Sequence, residues 1–149
     1  MSAAYQNVRA ALMQAYIGAF DPADPPHTAY ENAKFDLDKL PEGNEVWNKV
    51  AVISGESEPV TLGELGEDRY KGILQIDINA PTNKGTEGIL NIVASLRSYF
   101  PVGKGFSYGG DTAVIESFSL TPGRVVDGYY RITAEVEFRA DITRPAITP

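Results

Sequence analysis

Closely spaced glycines precede a predicted helix in the stretch NKGTEG, residues 83–88. Such turns can hold phosphate, because free backbone N–H groups and the helix N-terminus both favour anions. The spacing departs from a P-loop, since Lys84 precedes Gly85 and does not follow a second glycine. A second stretch, GKGFSYGGD at residues 103–111, fits a plain loop between elements better than a nucleotide loop. Both stretches predict turns, and anion binding is the less favoured interpretation.

Paired carboxylates are the other residues that could do chemistry. Asp36 and Asp38, like Glu56 and Glu58, have the spacing that puts two side chains on one side of a strand. A divalent metal needs several converging oxygens, and no EF-hand loop is present. The single histidine, His27, cannot complete a serine triad alone. The sequence therefore predicts no catalytic set, no metal site and no cofactor.

Aromatic and basic residues alternate near the C-terminus, where Tyr129, Arg131 and Arg139 are predicted on one face of a strand. Such a face can bind single-stranded nucleic acid by stacking and charge. Glu135 and Glu137 share this face, so a solvent-facing strand of alternating charge is the better interpretation.

Composition sets further limits. The 149 residues include no cysteine and carry a net charge of −7. Residues 21–68 hold 12 acidic and 3 basic side chains, whereas the remainder is slightly basic. An acidic balance argues against tight nucleic-acid binding, and its uneven distribution allows a surface with two faces of different charge. No apolar run reaches the roughly 18 residues of a membrane span, and no signal peptide is recognisable. We expect one soluble intracellular domain over residues 1–149.

Periodicity predicts six elements in the order helix, strand, strand, helix, strand, strand. The helices are expected at residues 3–19 and 86–100, where apolar residues recur every three or four positions. The strands are expected at residues 46–54, 69–79, 111–120 and 129–140. This order predicts an α+β fold, with a mostly antiparallel four-stranded sheet and both helices on one face.

Three segments are predicted outside these elements. Residues 21–46 are rich in Pro, Asp and Asn, and residues 55–68 form a flexible acidic loop or hairpin arm. Residues 142–149 are expected to be a flexible or partner-docked tail.

Several short stretches in a fixed order resemble the phage tail terminator proteins, the minor tail proteins of the phage lambda U type and their relatives in siphophages and other long-tailed phages. The resemblance covers residues 3–141. The stretches are TAYENAKF, WNKVAV, GILQIDINAPTNKGTEG, ILNIVASLRSYF and the ending DGYYRITAEVEFRAD.

The resemblance implies a structural virion protein without catalytic residues. Such proteins form a homo-hexameric ring on the head-proximal end of the tail tube, end its polymerisation and offer a surface to the head. The implied partners are other copies of the chain, the tail tube protein and a head-completion or connector protein, with genomic DNA passing unbound through the lumen. The implied location is the head–tail interface of the virion, and the host cytoplasm during assembly.

Two groups of residues are candidates for the surfaces of such a ring. An acidic lumen would let DNA pass, because like charge opposes phosphate contact. Two alternatives stay open: another ring of the head–tail joint, such as a head-completion protein, and a small-ligand or enzymatic α+β domain. The candidate ring and partner surfaces are Glu56, Glu58, Glu64, Glu67, Lys104, Phe106 and Tyr108, and the candidate subunit-interface anchors are Tyr30, Phe35, Trp47, Arg131 and Arg139.

Overall fold

The computed structural model describes residues 4–37, 40, 46–60 and 66–143. These residues form two helices and seven strands. In chain order the elements are α1 (Ala4–Gly18), β1 (His27–Ala29), β2 (Trp47–Pro59), β3 (Glu67–Pro81), α2 (Glu87–Tyr99), β4 (Gly105–Tyr108), β5 (Asp111–Leu120), β6 (Arg124–Val126) and β7 (Tyr129–Thr143).

The strands form one mixed sheet in the order β1-β2-β3-β7-β5-β4, and β6 pairs with β7 beside β5. β1 runs parallel to β2, and the other pairings are antiparallel. The prediction of a mostly antiparallel four-stranded sheet was therefore wrong. The three additional strands contain only three or four residues each, too few for an alternating pattern to show in the sequence.

The β2–β3 hairpin is much longer than predicted. Its register runs from Trp47 opposite Asn79 to Pro59 opposite Asp68, with a bulge between Ser54 and Ser57. Part of the expected acidic loop, residues 55–59 and 67–68, therefore belongs to paired strands. Polar residues are compatible with strand structure here because the outer end of a hairpin is exposed to solvent on both faces.

Both helices pack on one face of the sheet. α2 buries Ile89, Val93 and Leu96, as its predicted stripe required. In α1 Ala4 is buried, whereas Tyr5 is 59% exposed although its spacing from Val8 predicts it on the buried face. One hydrophobic core joins both helices to the sheet. Its largest fully buried side chains include Leu12, Tyr16, Leu74, Ile76, Ile78, Leu96, Phe100, Ile115 and Phe138.

A bulge interrupts the alternation of the two faces along β5. Ile115 lies opposite Phe138 and Phe118 lies opposite Val136, with the register shifting between Ile115 and Ser117. A bulge adds one residue to one strand. Ala113 and Ile115 therefore face the core before the bulge, and Phe118 packs against the core after it.

α1 connects the two edges of the sheet. The Asn7 side chain donates to Asp111 Oδ2 at 2.9 Å, beside the β4–β5 turn. About two and a half turns further along the same helix, the Tyr16 hydroxyl lies 2.7 Å from Thr28 Oγ1 on β1 and accepts from Asn48 Nδ2 on β2 at 2.8 Å. One helix contacts both edge regions, so the sheet must curl around it.

Candidate assembly surfaces

The face of the sheet opposite the helices is polar along its centre. Strand register places Asp77 beside Thr133 and Asn79 beside Arg131 on this outer face. Asp77, Asn79 and Thr133 are nevertheless buried, with exposures of 6%, 0% and 2%. Buried polar groups require hydrogen-bond partners, so their contacts decide what this face can do.

These side chains satisfy one another. Thr133 Oγ1 donates to Asp77 Oδ1 at 2.6 Å, and Arg131 Nε donates to Asn79 Oδ1 at 2.7 Å. Arg131 Nη1 also lies 3.7 Å from Asp77 Oδ2, and Arg124 on β6 donates to Thr133 Oγ1 at 3.2 Å. We call these five residues the outer-face cluster. It holds β3, β7 and β6 together and leaves no nucleophile or base free for catalysis within it.

The two arginines predicted as subunit-interface anchors lie on the same face of β7 in different surroundings. The Arg131 side chain is 14% exposed and belongs to the outer-face cluster. The Arg139 side chain is 35% exposed and lies 3.8 Å from a Glu116 carboxylate oxygen. Arg131 therefore has a structural role within its own subunit, and Arg139 is the more accessible of the two. Their subunit contacts stay a prediction.

The three aromatic anchors lie near one end of the sheet. Phe35 stacks on Trp47 with ring centroids 5.4 Å apart, and Trp47 meets the edge of Tyr129 at 5.5 Å. Trp47 is only 8% exposed, whereas Tyr30 is 39% exposed and packs against Tyr16. Phe35 and Trp47 attach the turn-rich segment to the body. A subunit contact through Tyr30, Phe35 or Trp47 stays a prediction.

The acidic candidates lie on the outer end of the β2–β3 hairpin, which we call the acidic arm and define as residues 54–60 and 66–69. Glu58 and Glu67 are exposed on the two strands of this arm. Glu56 is a residue of β2, and Glu64 lies outside the described residues. The arm is anchored at its base by Arg69, which donates from Nε to Asp141 Oδ1 at 2.9 Å. This bond and the charge of Arg69 lower the pKa of Asp141.

The edge of β2 is partly closed by one carboxylate. The Val52 N–H donates to Glu31 Oε1 at 2.8 Å, and Arg9 on α1 contacts the same oxygen. Burial opposes the charged form of Glu31, but the hydrogen bonds from Arg9 and Val52 outweigh it and lower its pKa. Within the described residues, β1 pairs with β2 only at residues 47–49. No strand in the described ranges pairs with the rest of this edge, and an edge of this kind can accept a strand from another chain.

The second candidate surface is basic and aromatic, and we define the basic surface as residues 97–108. Tyr99 and Phe106 stack with centroids 5.7 Å apart. Lys104 Nζ lies 4.4 Å from the Tyr99 centroid and 5.0 Å from that of Phe106. Two rings thus hold the ammonium group by cation–π attraction. Tyr108 and Val102, 44% and 69% exposed, add apolar area to this surface.

The described residues offer little for a cofactor. No group of three or more His, Asp or Glu in these parts of the chain could hold a metal ion. The NKGTEG stretch forms the turn before α2 and lines a shallow pocket with Val125 and Tyr130. Glu87 lies in the first turn of α2, where its negative charge opposes anion binding. No helix in the described ranges is long and apolar enough to span a membrane.

Sequence reasoning missed most of the outer-face cluster. The alternation in QIDIN places Asp77 and Asn79 on one face, and that in YYRITAE does the same for Arg131 and Thr133. This signal was available, but matching the two pairs requires the strand register, which alternation alone does not give.

A family model described as "Phage tail terminator protein" matches residues 7–138. Among solved structures, 18 chains match. One of them is 18% identical, with a TM-score of 0.66 over 95% of this chain and 94% of that chain, which shows a shared fold. The comparison with curated proteins found no match.

Proposed function

The chain belongs to the phage tail terminator family, and from this premise we propose that it caps the head-proximal end of the tail tube as a ring of six copies. Its function in the virion is structural: it terminates the tail. The observation that carries this function is the family match, which extends from α1 into β7 and includes every strand between them. The finer assignment to the lambda U type and to siphophages is part of the proposal.

Ring formation is supported by the two dissimilar edges of the sheet. A closed ring uses a heterologous interface, in which two different patches of each subunit meet. β2 and β4 lie toward opposite ends of the strand order, and each has an edge that no described strand fully covers. An interface between unlike edges can repeat from one subunit to the next. The repeat closes into a ring when the rotation between neighbouring subunits divides a full turn evenly. Six copies is the number that the family resemblance implies.

The partners follow from a position at the end of the tail. Terminator family membership means contact with other tail or head proteins. We propose that one side of the ring binds the tail tube protein and stops further addition of tube subunits, while the other side binds a head-completion or connector protein. The net charge of −7 supports passage of DNA through the lumen, because like charge disfavours binding to phosphate.

We further propose that residues 1–149 act as one terminator domain without catalytic activity or a cofactor. The buried residues of the described ranges form one hydrophobic core, which supports one folding unit. Outside the virion tail, the protein would be found in the host cytoplasm while tails assemble.

The test is the length of tails in particles from a phage that lacks this gene, measured by electron microscopy. Overlong tails of variable length without heads are the expected result, because nothing would stop the tube from growing. Tails of normal length that fail to join heads would move the protein to the head-completion step. Normal infectious particles would overturn a role in the virion, and restoring the gene must restore normal lengths.

A further inference from the structure

We infer that the subunit interface of the ring joins the acidic arm of one copy to the basic surface of the next copy. The inference rests on the proposed function, since it assigns an interface within the proposed ring. It commits to a second copy of this chain as the occupant of both surfaces, and charge complementarity is the main argument.

The two surfaces carry opposite net charge, and the one cation of the arm, Arg69, is paired with Asp141. Residues 50–68 contain five acidic residues and no Lys or Arg, whereas residues 88–110 contain Arg97 and Lys104 and no Asp or Glu. Two acidic arms therefore repel each other, as do two basic surfaces. Only the unlike pairing is attractive, and this selects a head-to-tail arrangement over a symmetric dimer.

The fold places the two surfaces so that both can be used at once. The acidic arm extends the β2–β3 hairpin at one edge of the sheet, and the basic surface includes β4 at the other end of the strand order. A subunit can thus present its arm to one neighbour and receive an arm from the other. This is the geometry that a heterologous ring requires.

Local contacts supply more than charge. Lys104 is held over the Tyr99 and Phe106 rings, so little side-chain freedom is lost when it meets a carboxylate. Ile53 and Val60 on or beside the arm are 46% and 44% exposed. Val102 and Tyr108 on the basic surface are exposed as well, so apolar contact can accompany the pairing of charges.

Cysteine crosslinking provides a direct test, because the chain has no cysteine of its own. Ser57→Cys labels the acidic arm and Val102→Cys labels the basic surface, where Val102 is 69% exposed. Tails from phage complemented with the double variant are treated with a short bis-maleimide. The matched control replaces Val125 on β6, which is 66% exposed, in combination with the same Ser57→Cys change.

The expected result is a ladder of covalent oligomers for Ser57→Cys with Val102→Cys, and none for Ser57→Cys with Val125→Cys. Neither single variant should give dimers, because like surfaces do not meet. Incorporation into tails without a ladder, or dimers from a single variant, would overturn the interface and leave the proposed function intact. Absence of the unsubstituted protein from wild-type tails would instead overturn the proposed function.

A charge swap provides an independent measurement in the same tails. Glu58→Lys or Lys104→Glu alone should lower incorporation by at least about tenfold, since a like-charge contact across an interface costs more than the roughly 1.4 kcal/mol that corresponds to a factor of ten. Combining the two should restore incorporation, whereas Asp24→Lys, an equal charge change at an exposed loop position, should leave it unchanged. Loss in the combined variant equal to that of the single variants would contradict a direct contact.

Discussion

Arg131 Nε on β7 donates a hydrogen bond to Asn79 Oδ1 on β3 at 2.7 Å, between residues 52 positions apart in the chain. The same guanidinium lies 3.7 Å from the Asp77 carboxylate. One cation thereby serves two polar side chains that are almost fully buried on the face opposite the helices. Such a group stabilises the fold mainly because its removal would leave buried acceptors without a partner.

We predict that Arg131→Met destabilises the protein by about 3–5 kcal/mol, since it leaves the buried Asp77 charge uncompensated. Arg139→Met is the matched control on the same face of the same strand. Its ion pair with Glu116 is about one-third exposed on each side, so its loss should cost no more than about 1 kcal/mol. Urea unfolding midpoints at neutral pH measure both changes, and equal midpoints would contradict a buried role for Arg131.

Alkaline pH should weaken the attachment of α1 to the β1–β2 edge. Burial raises the pKa of Tyr16 to about 12 from its usual 10.0, so folding favours the neutral phenol. The associated stability is complete below pH 10 and is lost as the pH rises toward 12, and it is on the order of 3 kcal/mol. Unfolding midpoints between pH 9 and 12 measure this loss.

The Tyr16→Phe variant provides the control for the alkaline prediction. Without the phenol, the decline in stability above pH 10 should become shallower, although the variant loses the hydrogen bonds to Thr28 and Asn48 at every pH. An unchanged alkaline slope in Tyr16→Phe would assign the loss to other groups.

Gly72 should tolerate no side chain. A Cβ at this position would lie 2.6 Å from the Ile53 carbonyl oxygen and 2.7 Å from Phe138 Cζ. We predict that Gly72→Ala destabilises the protein by about 1–3 kcal/mol through overpacking. Lys71→Ala, the exposed neighbour on the same strand, should change stability by less than about 0.5 kcal/mol.

A second substitution tests the cause of the Gly72 effect. Phe138→Leu removes the ring atom that the new methyl group would meet, so the double variant should be more stable than the sum of the two single changes predicts. Simple additivity of the measured unfolding free energies would place the strain at the Ile53 carbonyl alone.

Lowering the pH should weaken the contacts of Glu31 with Val52 and Arg9, which cover part of the β2 edge. The pKa of Glu31 is lowered in the fold, so its contribution is present above the unfolded value of about 4.3 and is lost as the pH falls through the lower folded value. Asp141 behaves in the same way through Arg69. Because both carboxylates are more than one-third exposed, solvent screening keeps the effect small.

The measurement for the acid prediction is the unfolding midpoint between pH 5 and 2. Glu31→Gln should flatten the acid limb of the curve, because the amide does not titrate. Asp24→Asn, at an exposed position with no ion pair among those described, is the control. An equal flattening in both variants would contradict the assignment to Glu31.

Long elements were predictable and short ones were not. The helical stripe of Ile89, Val93 and Leu96 and the alternation along β7 both repeat often enough to identify the element. β1, β4 and β6 each form because a neighbouring strand supplies partners for three or four residues. Because the hydrogen bonds that stabilise these strands are made with another strand, the local sequence period does not predict them.

The sequence by itself determined which residues form α2 and the long strands, the family to which the chain belongs, and the separation of an acidic segment from a basic one. These properties depend on residue type and on spacing over a few positions. Tertiary structure alone decided the mixed seven-stranded sheet, the joining of Asp77 to Arg131 and Thr133, and the placement of the acidic arm and the basic surface toward different edges. Register and curl are set by packing between segments distant in the chain, where a shift of one residue would exchange the two faces of a strand.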